Sequence, residues 1–482
     1  MPRPWMVEWG KVFEPAATFL GRQSLSACGL PRNGMTSGKK NVLKWSAIGL
    51  GVFMLVLAVL ALIPQHSPAA RRKIEQHLQG LEERGVPVNT EDLVRAYPEP
   101  GPHQNAEVLL SNCFGLLAQP QPGARIPFLG GGNLPVGTET MPPDMHSDVR
   151  EFIAANRAAL EALPKAWPEG TRFPHGWSGG FTNVKTLPLV KLRQLMQILA
   201  VQACFAAEEG RTQEAVEAIE NGLKLANAIP PDFLVSYMIG RAGQGLTVHA
   251  VERLLNLRSL SEAQLNAIEK ELRPNQAPAM GKAFIAERCQ AIWAFDSLIR
   301  SENLERLFSK EDLSLKNRVR RLVRLDPPLM TQQDVLVYLE LMEKLIPVFA
   351  KDPAERLTFL RQNKISQELD ARAHNQFART IYPNYEKALE KDVRITTQLN
   401  LVQTALAVER FRAAHQRLPA VLTELAPKFL SAIPVDPYSK QPLGFKRLDV
   451  GYVIYSVGPN RDGEAAAEDG TSQDNLLIRI ER

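Results

Sequence analysis

Cysteine is scarce: 482 residues hold only four, Cys28, Cys113, Cys204 and Cys289. They stand far apart, which excludes both a C-x-x-C redox pair and the paired spacing of a zinc site. Cys204 falls in an apolar helical stretch and reads as a small buried hydrophobe. A Cys113–Cys289 bridge is open to an exported chain, but no feature of the spacing supports it. The eight histidines are dispersed, with no H-E-x-x-H and no His/carboxylate cluster. His249, in GLTVHAVERLL, reads as a packing residue on a helix. No charge of one sign prevails either. The 57 Lys and Arg against 52 Asp and Glu leave +5, too little for the concentrated basic face of a nucleic-acid binder. KNRVRRLVR, residues 316–324, is the densest basic run. It reads as a solvated helix face, with anionic headgroups or an acidic partner as the alternative.

Phosphate cradles and nucleophile elbows are poorly represented too. Gly130–Gly131–Gly132 lacks the G-x-G-x-x-G pattern and the strand and helix that a cradle needs, so it reads as a flexible bend. GWSGG, residues 176–180, matches G-x-S-x-G with Ser178 in the nucleophile's place. That string works only at a sharp strand-to-helix turn, whereas WPEGTRFPH precedes it and FTNVKTLPLV follows. An ordered loop with Trp177 packed on helices is the plainer reading.

What is present begins with one apolar run, WSAIGLGVFMLVLAVLALI at residues 45–63, which has no charge and Ser46 as its lone hydroxyl. At about 1.5 Å per residue it just crosses a hydrocarbon layer of about 30 Å. Trp45 suits the headgroup layer, Pro64 closes the run, and Lys39, Lys40 and Lys44 precede it. Positive charge there keeps a short leader, residues 1–40, in the cytoplasm and exports the remainder. Arg71, Arg72 and Lys73 oppose this orientation, although long domains translocate largely regardless of such charge. HSPAA after Pro64 is a poor A-x-A site, so an uncleaved anchor over residues 41–64 is expected. Met35 would itself make a good start, directly ahead of the charged run. The expected location is the inner (cytoplasmic) membrane, single-pass, with the bulk of the chain on the periplasmic or cell-surface side.

Apolar content of 45% and charged content of 23% are those of a globular protein, and the length suits two or three folded units. Residues 65–117 read as a helical stalk, with Ile74, Leu78 and Leu81 at helical spacing. Residues 118–148 are dense in Pro and Gly and read as a loop. Residues 149–380 read as an α-helical body. Within it Leu192, Leu195, Leu199 and Cys204 share one side of a helix that Gly210 ends. Ala215, Ile219 and Leu223 mark a second helix that stops at a double proline. The pair resembles one tetratricopeptide-like hairpin, without a clear second copy at the 34-residue period. Ser261 and Gln264 form a capping box, and Thr331 starts another helix after Asp326–Pro327–Pro328.

Residues 384–482 change pattern. Ile395, Leu399, Val402 and Leu406 paint one stripe on a long helix ended by Pro419. A short helix follows in AVLTELAPKFL, then strands at Phe445–Arg447, Tyr452–Val457 and Leu476–Ile480. A long helix on a small antiparallel sheet buries both apolar faces, so this tail is expected to be an independent packing unit. The expected fold class is therefore mainly α: a transmembrane helix, a helical body and an α+β terminal unit.

The string L-P-x-x-L-x-x-L-x-P-K-F-L-x-x-I-P-x-D-P at residues 418–437, then GYVIYSVGPN and an acidic loop, resembles the globular domain of the type II secretion major pseudopilin. The resemblance covers about the last hundred residues. The prepilin-peptidase junction of that family is missing from residues 40–46, so assembly into a pilus is not implied. The chain as a whole looks like a membrane-anchored helical envelope protein bearing such a domain at its end.

The family's closing loop binds calcium, which implies Asn460, Asp462 and Asp474 as ligands, with Asp469 competing for the last place. The residues themselves offer the hard oxygens that calcium takes. The alternative is a solvated turn whose Asn and Asp bond their own backbone. Gly458 to Asp469 echoes an EF-hand loop, but Gly stands in its first ligand position and a strand leads in. The expected function is a non-catalytic, protein-binding or scaffolding role among envelope proteins, associated with secretion. The alternative is an envelope-polymer hydrolase centred on Ser178 or on a carboxylate pair that spacing alone does not isolate.

Overall fold

The structure, a computed structural model, describes residues 68–177, 187–272, 277–299, 332–372, 376–460 and 476–482. The apolar run at 45–63, the basic run at 316–324, Cys28, Ser178, Asp462, Asp469 and Asp474 lie outside the described residues. The described chain is mainly α with a small C-terminal three-stranded antiparallel sheet.

Helices α1 (Pro68–Glu83), α2 (Thr90–Ala96) and α3 (Ala106–Gly115) open the described chain. α1 lies against the body rather than standing clear of it as a stalk. Leu81 is buried, and Ile74 and Leu78 pack on the common core. An apolar stripe on a lone helix has to find such a partner. The Pro/Gly-rich segment that follows also differs from a free loop, because Ile126, Phe128 and Met141 are buried. Gln197 donates to the Phe128 carbonyl at 2.7 Å, and the Arg253 guanidinium binds the carbonyls of Gly137 and Glu139. The expected bend at Gly131 is a tight turn. A Cβ there would sit 2.2 Å from the Ala124 carbonyl oxygen, so only glycine fits.

After α4 (Pro143–Ala155) and α5 (Arg157–Glu161) comes the hairpin of α6 (Leu189–Glu208) and α7 (Thr212–Ala228). Gly210, at φ +81°, ends α6. Its N–H donates to Ala207 and that of Arg211 to Ala206, a Schellman closure. Leu192, Leu195, Leu199 and Cys204 are buried as the stripe requires, but so are Gln194 and Gln197. α6 is enclosed by α4, α7 and α8 (Leu234–Leu257), so little of its circumference meets solvent. Among the described residues it alone is long and apolar enough to cross a membrane, yet 67% of that window lies inside the fold. Its apolar character serves packing.

The Ser261/Gln264 capping box is present at α9 (Glu262–Glu271), with both reciprocal bonds made. The framework continues with α10 (Ala277–Ile299), α11 (Gln332–Phe349), α12 (Pro353–Gln362), α13 (Ile365–Ala371) and α14 (Gln376–His415). α14 begins before the expected Asn384 and runs through Pro383. Ile395, Leu399, Val402 and Leu406 are buried as expected. The expected short helix after Pro419 is a 3-10 turn at Leu422–Leu425.

β1 (Gly444–Arg447), β2 (Tyr452–Tyr455) and β3 (Leu477–Ile480) form the sheet in that order, with Phe445 opposite Ile454 and Ile454 opposite Ile478. The Tyr452 hydroxyl reaches the Ala405 carbonyl at 3.3 Å, which seats the sheet on α14. β3 is held from its other side by α8. The Arg479 N–H donates to Glu252, Asn256 donates to the Arg479 carbonyl, and Glu481 N–H donates to Asn256. One hydrophobic core consequently runs from Ala106 to Ile480, helical body and sheet together.

The Asp of the I-P-x-D-P string has a local task. Buried Asp436 accepts from Tyr438 N–H and the Ser456 hydroxyl on one oxygen, and from the Ser439 hydroxyl and Val457 N–H on the other. It ties the turn before β1 to the end of β2, which a carboxylate with two acceptor oxygens can do.

Candidate functional site

A second, smaller core gathers Leu93, Trp177, Ala286 and Cys289, with Tyr97 and Phe233 against it. Its polar border carries the perturbed titratable side chains His175, Asp232 and Glu287. Trp177 packs on helices as expected, 1% exposed, and stacks on His175 with centroids 4.4 Å apart and planes at 13°. Its edge meets Phe233 and Tyr97. Lys282 of α10 stands over the Tyr97 ring at 5.2 Å. Ser178, the next residue after Trp177, lies outside the described residues.

Three carboxyls face this core, and each holds main chain. Glu99 accepts from His175 N–H at 2.7 Å and Gly176 N–H at 3.0 Å. Asp232, 2% exposed, accepts from Phe233 N–H at 3.0 Å. Glu287 of α10 accepts from Leu234 N–H at 3.0 Å, satisfying a free donor at the start of α8. Burial raises Glu287 and pushes Asp232 up to about 7, against the Ser236 hydroxyl, with Glu99 adding repulsion. Burial, with Arg172 and Lys282 nearby, drives His175 down to about 4. Near neutrality the group offers a carboxyl in mid-titration and an imidazole that lacks a proton, the parts of acid–base chemistry. The enclosure of Asp232 and Trp177 and the main-chain bonds of the acids favour a structural clasp joining α2, residues 172–177, α8 and α10.

The two shifts oppose each other in their effect on stability. Between about pH 4 and 7 folded Asp232 keeps a proton that the unfolded chain releases, so stability falls as pH rises through that window. Between about pH 6.5 and 4 the unfolded chain takes a proton that buried His175 refuses, so stability falls as pH drops. Each slope is about 1.4 kcal/mol per pH unit. Asp232→Asn should raise Tm at pH 8 and unmask the acid limb of His175 between pH 6.5 and 4.5. Thermal scans across that range check it, and a variant whose Tm offset is the same at every pH would refute the assignment.

Neither Asp232 nor His175 is distinguished by spacing. Asp232 carried a legible signal, an acid after Pro230–Pro231 at a helix start; His175 carried none. The other expected site residues do not join this group. Asn460 is exposed in the turn that leaves β2, and its companions Asp462, Asp469 and Asp474 lie outside the described residues. Among the described residues no three His, Cys, Asp or Glu side chains gather to hold a metal. Cys113, Cys204 and Cys289 are buried free thiols. Cys113 donates to the Ala159 carbonyl and Cys289 to the Pro87 carbonyl, and burial raises all three, Cys113 to about 11 and the other two to about 12. His249 is partly buried with its ring 6.2 Å from Phe128, a packing position. Compared with protein-family models, curated proteins and solved structures, the chain matches none.

Proposed function

We propose that the chain is a single-pass envelope protein whose helical body and C-terminal sheet form a rigid, non-catalytic scaffold for other envelope proteins. The observation that carries this reading is the use made of its buried and half-buried acids. Glu99, Asp232 and Glu287 hold main-chain N–H groups, and Asp436 holds a turn, so these acids stiffen the fold. The apolar run at 45–63 supplies the anchor, and the pseudopilin resemblance of the tail supports an association with secretion. Calcium at Asn460, Asp462 and either Asp469 or Asp474 belongs to the same reading, as a clamp between β2 and β3.

The test is fractionation followed by crosslinking of the full chain in cells. The full chain should stay in alkali-washed membranes and be cut by protease added from the outer side of spheroplasts. A version lacking residues 1–64 should lose the membrane. Crosslinking should recover envelope proteins with the full chain. A full chain that washes off the membrane, or one that crosslinks to no envelope protein, would overturn the proposal.

A further inference from the structure

The helical body contains an ionic cluster that hydrophobic packing does not require. Asp392 of α14 is fully buried, and Arg241 of α8 and Arg356 of α12 are 2% and 0% exposed. Arg241 Nε donates to Asp392 Oδ1 at 2.7 Å and Arg356 Nη1 to Oδ2 at 2.5 Å. The Tyr237 hydroxyl completes Oδ1 at 2.6 Å. Arg241 also donates to Gln244 and Thr396. Arg356 is treated differently. Its Nη1 bonds Asp392 and the Met280 sulfur, while Nε and Nη2 have no hydrogen-bond partner among the described residues.

Those two atoms share one edge of the guanidinium plane. Their N–H bonds point the same way and make the fork that takes two oxygens, or one halide, side-on. A buried donor without an acceptor is strongly unfavourable, and here two lie on a cation that shares the Asp392 carboxylate with Arg241. Native folds rarely leave such groups unmet.

We infer that the Nε/Nη2 edge of Arg356 is a structural binding site for a small monovalent anion of chloride or formate size. The anion would complete the guanidinium's hydrogen bonds and balance the charge between α8, α12 and α14. A neutral water at the same edge is the rival occupant, and it would leave stability insensitive to the nature of the salt.

The full chain in detergent should be melted in chloride, formate or gluconate at matched ionic strength. Chloride and formate should raise Tm in a saturable manner, by about 3 °C at roughly a hundred times the half-saturating concentration, and bulky gluconate should not. Arg356→Lys keeps the charge and can reach Asp392 but has no fork, so it should fold and lose the increment. Crystals soaked in bromide should show an anomalous peak at the fork. These wild-type readouts decide the matter even where the variant does not fold. Equal Tm in all three salts, or a bromide-free fork occupied by water, would overturn the inference. So would a bromide peak without a saturable gain in Tm, which marks an adventitious ion only.

Discussion

Asp392→Asn should unfold the helical body or weaken it by about 3–5 kcal/mol. The amide is nearly isosteric with the carboxylate, so the change removes charge and leaves packing almost untouched. Burial alone would raise this carboxyl, but Arg241 and Arg356 more than offset that and hold it below the ordinary carboxylate range. It is therefore ionised in the folded protein at neutral pH, and its contribution is lost only as pH falls below the ordinary value. Without it two guanidiniums remain in the interior with no carboxylate between them. Chemical denaturation of the full chain at pH 7 measures the loss. The matching control replaces Asp392, Arg241 and Arg356 together with apolar residues of similar volume. It should recover most or all of the stability, because a buried charge network is rarely worth more than good hydrophobic packing. A fully stable Asp392→Asn chain would contradict the assignment of that charge.

A fragment of residues 384–482 made alone should be mostly unfolded. The tail reads from its sequence as a self-contained helix and sheet, but α14 is buried on more than the sheet side. Tyr385, Leu389, Val393 and Leu401 are all buried within the common core, and α14 packs on α8, α9, α11, α12 and α13 as well as on β2 and β3. The fragment would also lose Arg241 and Arg356 from Asp392 and Glu269 from Arg410. β3, Glu481 and Arg482 would lose five hydrogen bonds to Glu252, Asn256, Leu255 and Ser259, each worth about 1 kcal/mol. Circular dichroism of the fragment should show low helix content and no cooperative melt. A sharp melt with strand signal would restore the tail as an independent unit, and would strengthen the pseudopilin resemblance with it.

Local structure was legible to the extent that it is governed locally. The Ser261/Gln264 box, the Gly210 stop and the stripe on α14 were readable because caps and periodicity act within a few residues. The start of α14 was not, since Pro383 suggests a boundary and the helix continues through it on tertiary packing. The Pro/Gly-rich segment misled for a related reason. Ile126, Phe128 and Met141 are too widely spaced to form a pattern, yet each finds a place in the core. Of the candidate site, Trp177 was legible as a packed aromatic. His175 and Glu99 were not, because they meet across 76 residues.

By itself the sequence determined a largely helical chain, a small terminal sheet and one apolar run of membrane length, since each is written in the spacing of neighbouring residues. Only the tertiary structure decided that body and sheet share one core, that α6 is an interior helix, and that Asp392 lies between two arginines 151 and 36 residues away. An aspartate on a helix looks the same in sequence whether it faces water or a buried guanidinium. Only the long-range fold fixes its dielectric surroundings and its partners.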